Sequence, residues 1–222
     1  MLERKSKRAA GDPYPGYDVL AKWRSPSWND KTREVIAARL KAAGEPQFLT
    51  ADEFEILTAV ADRIVPQPAS RSPVPVAALL DQKLQGGVLD GYRAAGLPRD
   101  GEAWRRGLRA LDAEARARHD RGFAAIAGSY QDDLLRRCEA DELKSPAWSG
   151  MPSRTFFKHR LLRDIVLAYY SHPMAWSEVG WGGPASPRGY VRLDFNDRDP
   201  WEAAEAKPGR EADALRINRN VR

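Results

Sequence analysis

The 222-residue chain has one cysteine and three histidines, and both shortages exclude chemistry. A single thiol closes no internal disulfide and cannot alone hold an iron–sulfur cluster, so Cys138 leaves the redox compartment open. His119, His159 and His172 show no metal-ligand spacing such as H-x-x-x-H, and none is near Cys138 in sequence. Long apolar runs are missing as well. The densest, Ile165 to Tyr170, is far shorter than the ~20 residues that cross a bilayer, so direct membrane insertion is not expected. There is no G-x-S-x-G elbow, phosphate loop or C-x-x-C-H haem signature. Gly180, Gly182 and Ala185 satisfy the letter of the dinucleotide fingerprint. However, Pro184 and Pro187 oppose the helix that must follow, and no βαβ unit surrounds the motif.

A basic stripe is also lacking. The net charge of +5 sits at the two ends. Residues 1–11 contribute +3 and residues 205–222 contribute +2, which leaves the body neutral. Interspersed charge of this kind excludes a phosphate-binding face, and no nucleic-acid partner is expected. The acidic groups Asp132 with Asp133, and Asp194 with Asp197 and Asp199, have arginines beside them and read as ion pairs and turns. The expected set of catalytic, cofactor-binding and metal-binding residues in this chain is therefore none.

What the chain does contain is helical periodicity. Asn29 or Asp30 caps a first helix whose apolar positions Val35, Ile36 and Leu40 share a face. Thr50 and Glu53 form a capping box, with Leu49 and Phe54 as its hydrophobic staple. Phe54, Leu57, Ala61, Ile64 and Val65 then follow helical spacing until Pro66. A proline-rich connector leads to a helix from Val76 to about Leu84. Trp104, Leu108, Leu111 and Ala115 mark another helix, and Phe123, Ile126, Tyr130, Leu134 and Cys138 continue in helical steps. From Phe156 to Tyr170 the segment is apolar nearly all round, which predicts a central helix or one enclosed by a partner. No sustained alternation precedes residue 190. The fold class is all-α, an irregular domain of five or six helices with extended, Gly/Pro/Trp-rich N- and C-terminal arms.

The last fifth differs. Between Ser171 and Glu202 the density of glycine and proline forbids a long helix, while Trp176, Trp181, Tyr190 and Trp201 argue against a disordered linker. An ordered, extended, aromatic segment needs a surface to lie against. The expected layout is a flexible basic N-terminus (1–13), one helical domain (14–203) with a partner-binding arm (171–203), and a charged tail (204–222).

The run from Ser171 to Tyr190, S-H-P-M-A-W-S-E-V-G-W-G-G-P-A-S-P-R-G-Y, continues through Val191-Arg192-Leu193 and Asp199-Pro200-Trp201-Glu202. It resembles the C-terminal signature of the gluconate 2-dehydrogenase subunit 3 family. Phe48-Leu49-Thr50 with Glu53, and Ala61-Asp62-Arg63-Ile64-Val65-Pro66, look like that family's opening helix. The likeness spans roughly Tyr14 to Ala203. It implies a small helical subunit bound to a large FAD-containing oxidoreductase of the glucose–methanol–choline type, acting on a sugar or sugar acid. The flavin belongs to that partner, in some relatives with an iron–sulfur cluster, and a cytochrome c subunit joins the wider complex. The resemblance also implies a subunit that aids folding, stability or export of its partner.

The residues expected at the partner interface are Trp176, Glu178, Trp181, Arg188, Tyr190, Arg192 and Trp201, since buried Trp, Tyr and Arg concentrate binding energy. The alternatives are a stand-alone enzyme with a site around His172, Glu178 and Arg188, or a transient chaperone of the flavoprotein. Relatives often carry a twin-arginine signal, whereas Lys7-Arg8 has no apolar run behind it. The expectation is a cytoplasmic complex, the alternative a periplasmic one carried by the partner's signal.

Overall fold

The structure, a computed structural model, describes residues 12–41, 44–69, 71–89, 91, 93–184 and 198–221. It is all-α, and no strand occurs among the described residues. The helices are α1 (Asp30–Leu40), α2 (Ala51–Ile64), α3 (Val76–Gln85), α4 (Asp100–His119), α5 (Gly128–Ala140), α6 (Ser153–Phe156), α7 (Arg163–Tyr170), α8 (Pro173–Glu178) and α9 (Glu211–Asn218). A π-helical stretch, Phe157–Leu162, joins α6 to α7 without a break. The five or six helices read from periodicity missed the short ones, which local spacing cannot reveal. The chain forms two compact units: Arg39–Ser171, and the described parts of Met1–Ala38 with His172–Arg222.

The central unit is built on α2 and α4. Thr50 Oγ1 accepts from Glu53 N at 3.3 Å and Glu53 Oε2 accepts from Thr50 N at 3.1 Å, so the capping box is formed at both ends. Glu53 also accepts from Arg109 Nε at 2.8 Å, which ties the start of α2 to α4. On α4 the predicted face of Trp104, Leu108, Leu111 and Ala115 is fully buried. Gly107 lies on that face for a steric reason. A Cβ placed there would come within 2.1 Å of the Phe156 ring, which packs edge-on against Trp104 and Trp148. That close approach outweighs the ~1 kcal/mol that glycine costs a helix.

The helix from α6 to α7 passes between α3 and α5. Its wider π turns place Phe156 with Phe157, Arg160 with Leu161, and Asp164 with Ile165 in the interior. Arg160 is buried against Asp164 (3.2 Å) and Asp100 (2.5 Å), and Trp104 Nε1 donates to Asp164 at 3.3 Å. Cys138 lies buried with its Sγ donating to the Ser153 carbonyl at 3.3 Å. Burial, with Asp141 and Glu114 nearby, raises its pKa far above the usual thiol range, so the thiol stays protonated.

Glu114 is a second buried carboxylate, and sequence reading passed over it. It accepts from Ser145 N (2.8 Å), Trp148 Nε1 (3.2 Å) and Arg118. Desolvation pushes its pKa up, but these hydrogen bonds and the Arg118 charge outweigh it and hold the pKa below the ordinary glutamate value. A depressed folded pKa contributes stability that is present above the unfolded pKa and lost as pH falls through the folded one. Glu114→Gln should therefore melt below the wild type at neutral pH, and the gap should close as pH drops below the ordinary glutamate range. Thermal melts of both proteins across pH 3–7 check this, and a pH-independent gap would contradict it.

The other unit gathers the two proline- and tryptophan-rich ends of the sequence into one core. Tyr17, Val19, Trp28, Ile36, Trp176 and Val221 form its buried centre, with Tyr14, Leu20, Trp23, Trp201 and Ala203 packed around it. Val19 N donates to Ser177 Oγ at 3.0 Å, and Tyr17 Oη donates to the Trp201 carbonyl at 3.0 Å. The segment 204–222, read from sequence as a charged tail, carries α9 within its described part. Asn218 on that helix exchanges hydrogen bonds with Ala204 (2.7 and 3.0 Å) and donates to the Pro15 carbonyl at 3.0 Å. The two ends of the chain thus group together through long-range pairings that leave no local trace.

Candidate partner interface

Each unit offers surface of its own. In the unit holding both chain ends, the interface residues expected from sequence fall into three groups. Trp176 is 1% exposed and belongs to the aromatic core, and Trp201 packs against that core half-buried. Its burial makes Trp176 a packing residue of this unit in place of a surface contact. Trp181 is 41% exposed, and its ring meets Trp176 edge-on at 4.9 Å. Glu178 ends α8, partly exposed. Arg188, Tyr190 and Arg192 lie outside the described residues.

The reason the arm folds this way is local. His172 caps α8, its Nδ1 accepting from Met174 N at 3.3 Å, and Pro173 occupies the first helical position, where a missing N–H costs nothing. Gly180 then turns the chain with φ +68°, and a Cβ there would lie within 2.4 Å of the Tyr14 ring. Gly180 thus lets the backbone approach the protein's own N-terminal segment closely. His172 itself is buried, so of the alternative His172, Glu178 and Arg188 set only Glu178 has described exposure.

The central unit presents three features. The first is a cleft of about 580 Å³ lined by Phe48, Arg105, Arg106, Arg109 and Ser149. Its guanidiniums are tethered. Arg105 lies over the Phe48 ring at 4.2 Å and donates to the Phe48 carbonyl, Arg106 pairs with Glu102 and donates to the Ser149 carbonyl, and Arg109 pairs with Glu53. These arginines build the wall of the cleft.

The second feature is an apolar stripe on the α6–α7 rod. Leu162, Leu167 and Tyr170 are all exposed, Leu167 at 52%, while Leu161, Ile165 and Tyr169 on the opposite side are buried. The helix read from sequence as enclosed nearly all round is enclosed on one side by its own unit and bare on the other. The third feature is a trough along the outer face of α2. Two cavities of about 450 and 430 Å³ share Phe54, Thr58 and Asp62. Phe54, expected in the core, forms its floor because Ile56, Leu57, Val60 and Ala61 take the buried face instead. The arginine cleft and the trough were not read from sequence, although the i, i+4, i+8 spacing of Phe54, Thr58 and Asp62 was there to find.

Among the described residues, no group of three or more His, Cys, Asp or Glu is placed to hold a metal ion. No described helix is long and apolar enough to cross a membrane. Searches of curated proteins and of solved structures gave no match. A match to the family described as gluconate 2-dehydrogenase subunit 3 covers residues 51–183, more than half of the chain. It includes the capping-box helix α2, the stripe on α7 and the Trp176–Gly183 part of the aromatic signature. A family defined as one subunit of a multi-subunit dehydrogenase implies a partner subunit. The chain belongs to the gluconate 2-dehydrogenase subunit 3 family.

Proposed function

We propose that this chain is a non-catalytic small subunit that binds and stabilises the FAD-containing catalytic subunit of a sugar or sugar-acid dehydrogenase. Family membership supports a role inside a dehydrogenase complex, and the exposed Leu162, Leu167 and Tyr170 stripe is the observation that carries the binding reading. Large apolar side chains exposed together on a helix whose other side is core are a usual mark of a partner surface. On this reading the flavin, with an iron–sulfur cluster where one is present, belongs to the partner. Substrate oxidation and electron transfer take place there.

The test is a binding measurement with the dehydrogenase subunit. Leu167→Asp should weaken the complex by about 2 kcal/mol or more, the scale of a lost interface anchor. The free chain should keep its helicity and melting temperature, because Leu167 is half in water already. The purified complex should show flavin absorbance and the chain alone none. Unchanged affinity of Leu167→Asp would remove the stripe from the interface. Stoichiometric flavin in the isolated chain would overturn the non-catalytic assignment.

A further inference from the structure

The trough on α2 has a chemistry distinct from the α7 stripe. Its central row, Phe54, Thr58 and Asp62, runs two helical turns, roughly 12 Å. One wall is Pro46, Ala51, Ala59 and Ala124; the other is the connector Pro73–Pro75 with the first turn of α3. That connector is a preformed wall. Gln67 Oε1 accepts from Val74 N at 2.6 Å and its Nε2 donates to the Val74 carbonyl at 3.0 Å, which pins the chain between two prolines. Little ordering entropy remains to be lost when something docks there.

The charge in the trough is of one sign. Glu55 and Asp62 line it and no lysine or arginine does. Arg63, next in sequence to Asp62, is turned away into a two-fold contact with Asp132, at 2.7 Å for each bond. Neither Glu55 nor Asp62 makes a hydrogen bond or ion pair within the described chain, unlike the arginines of the neighbouring cleft. Desolvation raises the pKa of Asp62, opposed by Arg63. An apolar trough edged by exposed carboxylates that take no partner among the described residues is complementary to a cation carried on an apolar stem, and an arriving lysine or arginine would add a charge-assisted bond there.

We propose that this trough docks a segment of the partner dehydrogenase subunit that bears a lysine or arginine among small apolar residues, the cation meeting Asp62. The proposal rests on the reading that the chain works inside such a complex. It deepens that reading by naming a second contact and its chemistry.

The experiment measures affinity between the wild-type chain and the flavin-containing dehydrogenase subunit, then repeats it with three variants. Asp62→Lys should weaken binding roughly ten-fold or more, Asp62→Asn by less, and Thr58→Trp, which fills the trough without changing charge, roughly ten-fold. Melting temperatures of the free variants should stay at the wild-type value, since Asp62 and Thr58 are exposed and Asp62 supports no contact. Wild-type binding with all three variants within two-fold of it would overturn the trough as a docking site and leave the subunit reading standing. Failure of the wild-type chain to bind any flavin-containing dehydrogenase subunit would overturn both.

Discussion

Replacing Arg160 with methionine is expected to lower the unfolding free energy by about 3–5 kcal/mol, the cost of breaking a buried ion pair from one side. Arg160 and Asp164 are both almost completely buried, and Asp100 is largely so. With the guanidinium gone, Asp164 keeps the 3.3 Å hydrogen bond from Trp104 and the 3.4 Å contact from Arg163 but loses its buried cation. Two carboxylates then face each other's neighbourhood without the central cation. The pair is nonetheless imperfect, because Arg160 Nε is buried without a hydrogen-bond partner. Removing both charges should therefore cost far less than removing one. Arg160→Met combined with Asp164→Leu should recover most of the loss, since apolar side chains of similar volume replace buried pairs at little cost. Asp100 tolerates the change because it sits in the first turn of α4, where the helix dipole favours a negative charge. Urea unfolding of the wild type, both single variants and the double variant measures the coupling. Additive single-variant losses would show that the three charges do not act as a unit.

The elements that were legible in the sequence are those whose determinants are neighbours along the chain. The capping box of Thr50 and Glu53 needs four residues, and the buried face of α4 needs a repeat of three and four. Both were readable without a fold. The π stretch was not. Phe156 to Tyr170 reads as apolar on every side at 3.6 residues per turn, and only the wider turns show which residues, Leu162, Leu167 and Tyr170, are left outside. Density of apolar residues foretold burial but not its side.

The aromatic arm shows the same limit at longer range. Its composition argued correctly that it must lie against something. What it lies against, through Gly183, is the Tyr14–Trp28 segment, more than 150 residues earlier. No spacing rule connects Tyr17 to Trp201 or Asn218 to Pro15. An apolar helix, central or enclosed by a partner, and an aromatic arm were legible in kind, but not which of their residues stay exposed. The stripe lies on the helix that looked enclosed, while Trp176 turned inward and Trp181 stayed half in water.

Nothing in the local spacing marks Asp81, yet its loss is expected to cost about 3–4 kcal/mol. It lies on α3 in what periodicity alone would call a polar gap between Leu80 and Leu84, yet it is only 2% exposed. Its carboxylate accepts from three consecutive amides, Gln47 N at 2.6 Å, Phe48 N at 3.2 Å and Leu49 N at 2.8 Å. These amides belong to the turn that feeds α2. A hydrogen bond to a charged acceptor contributes about 1.5–3 kcal/mol, and an amide left unpaired in the interior costs about 1–3 kcal/mol. Asp81→Ala strands the Leu49 amide in the core, while Gln47 is exposed enough for water to replace the lost partner. The sum therefore falls short of three full bonds. Asp81→Asn keeps one acceptor oxygen but turns an NH2 group toward other donors, so roughly half of the loss should remain. Urea unfolding gives both numbers from the shift in midpoint at unchanged slope. Hydrogen exchange at residues 47–49 locates the effect, since those amides should lose protection well before the middle of α4. The consequence reaches both surface cavities, because Phe48 is the platform under Arg105 in the arginine cleft and Leu49 precedes α2, whose outer row floors the trough. An Asp81→Ala protein that folds but presents a loosened turn should bind the dehydrogenase subunit more weakly, with the Leu167 stripe intact. A change in unfolding free energy below about 1 kcal/mol would mean that the turn is held by the packing of Leu49 and not by the carboxylate.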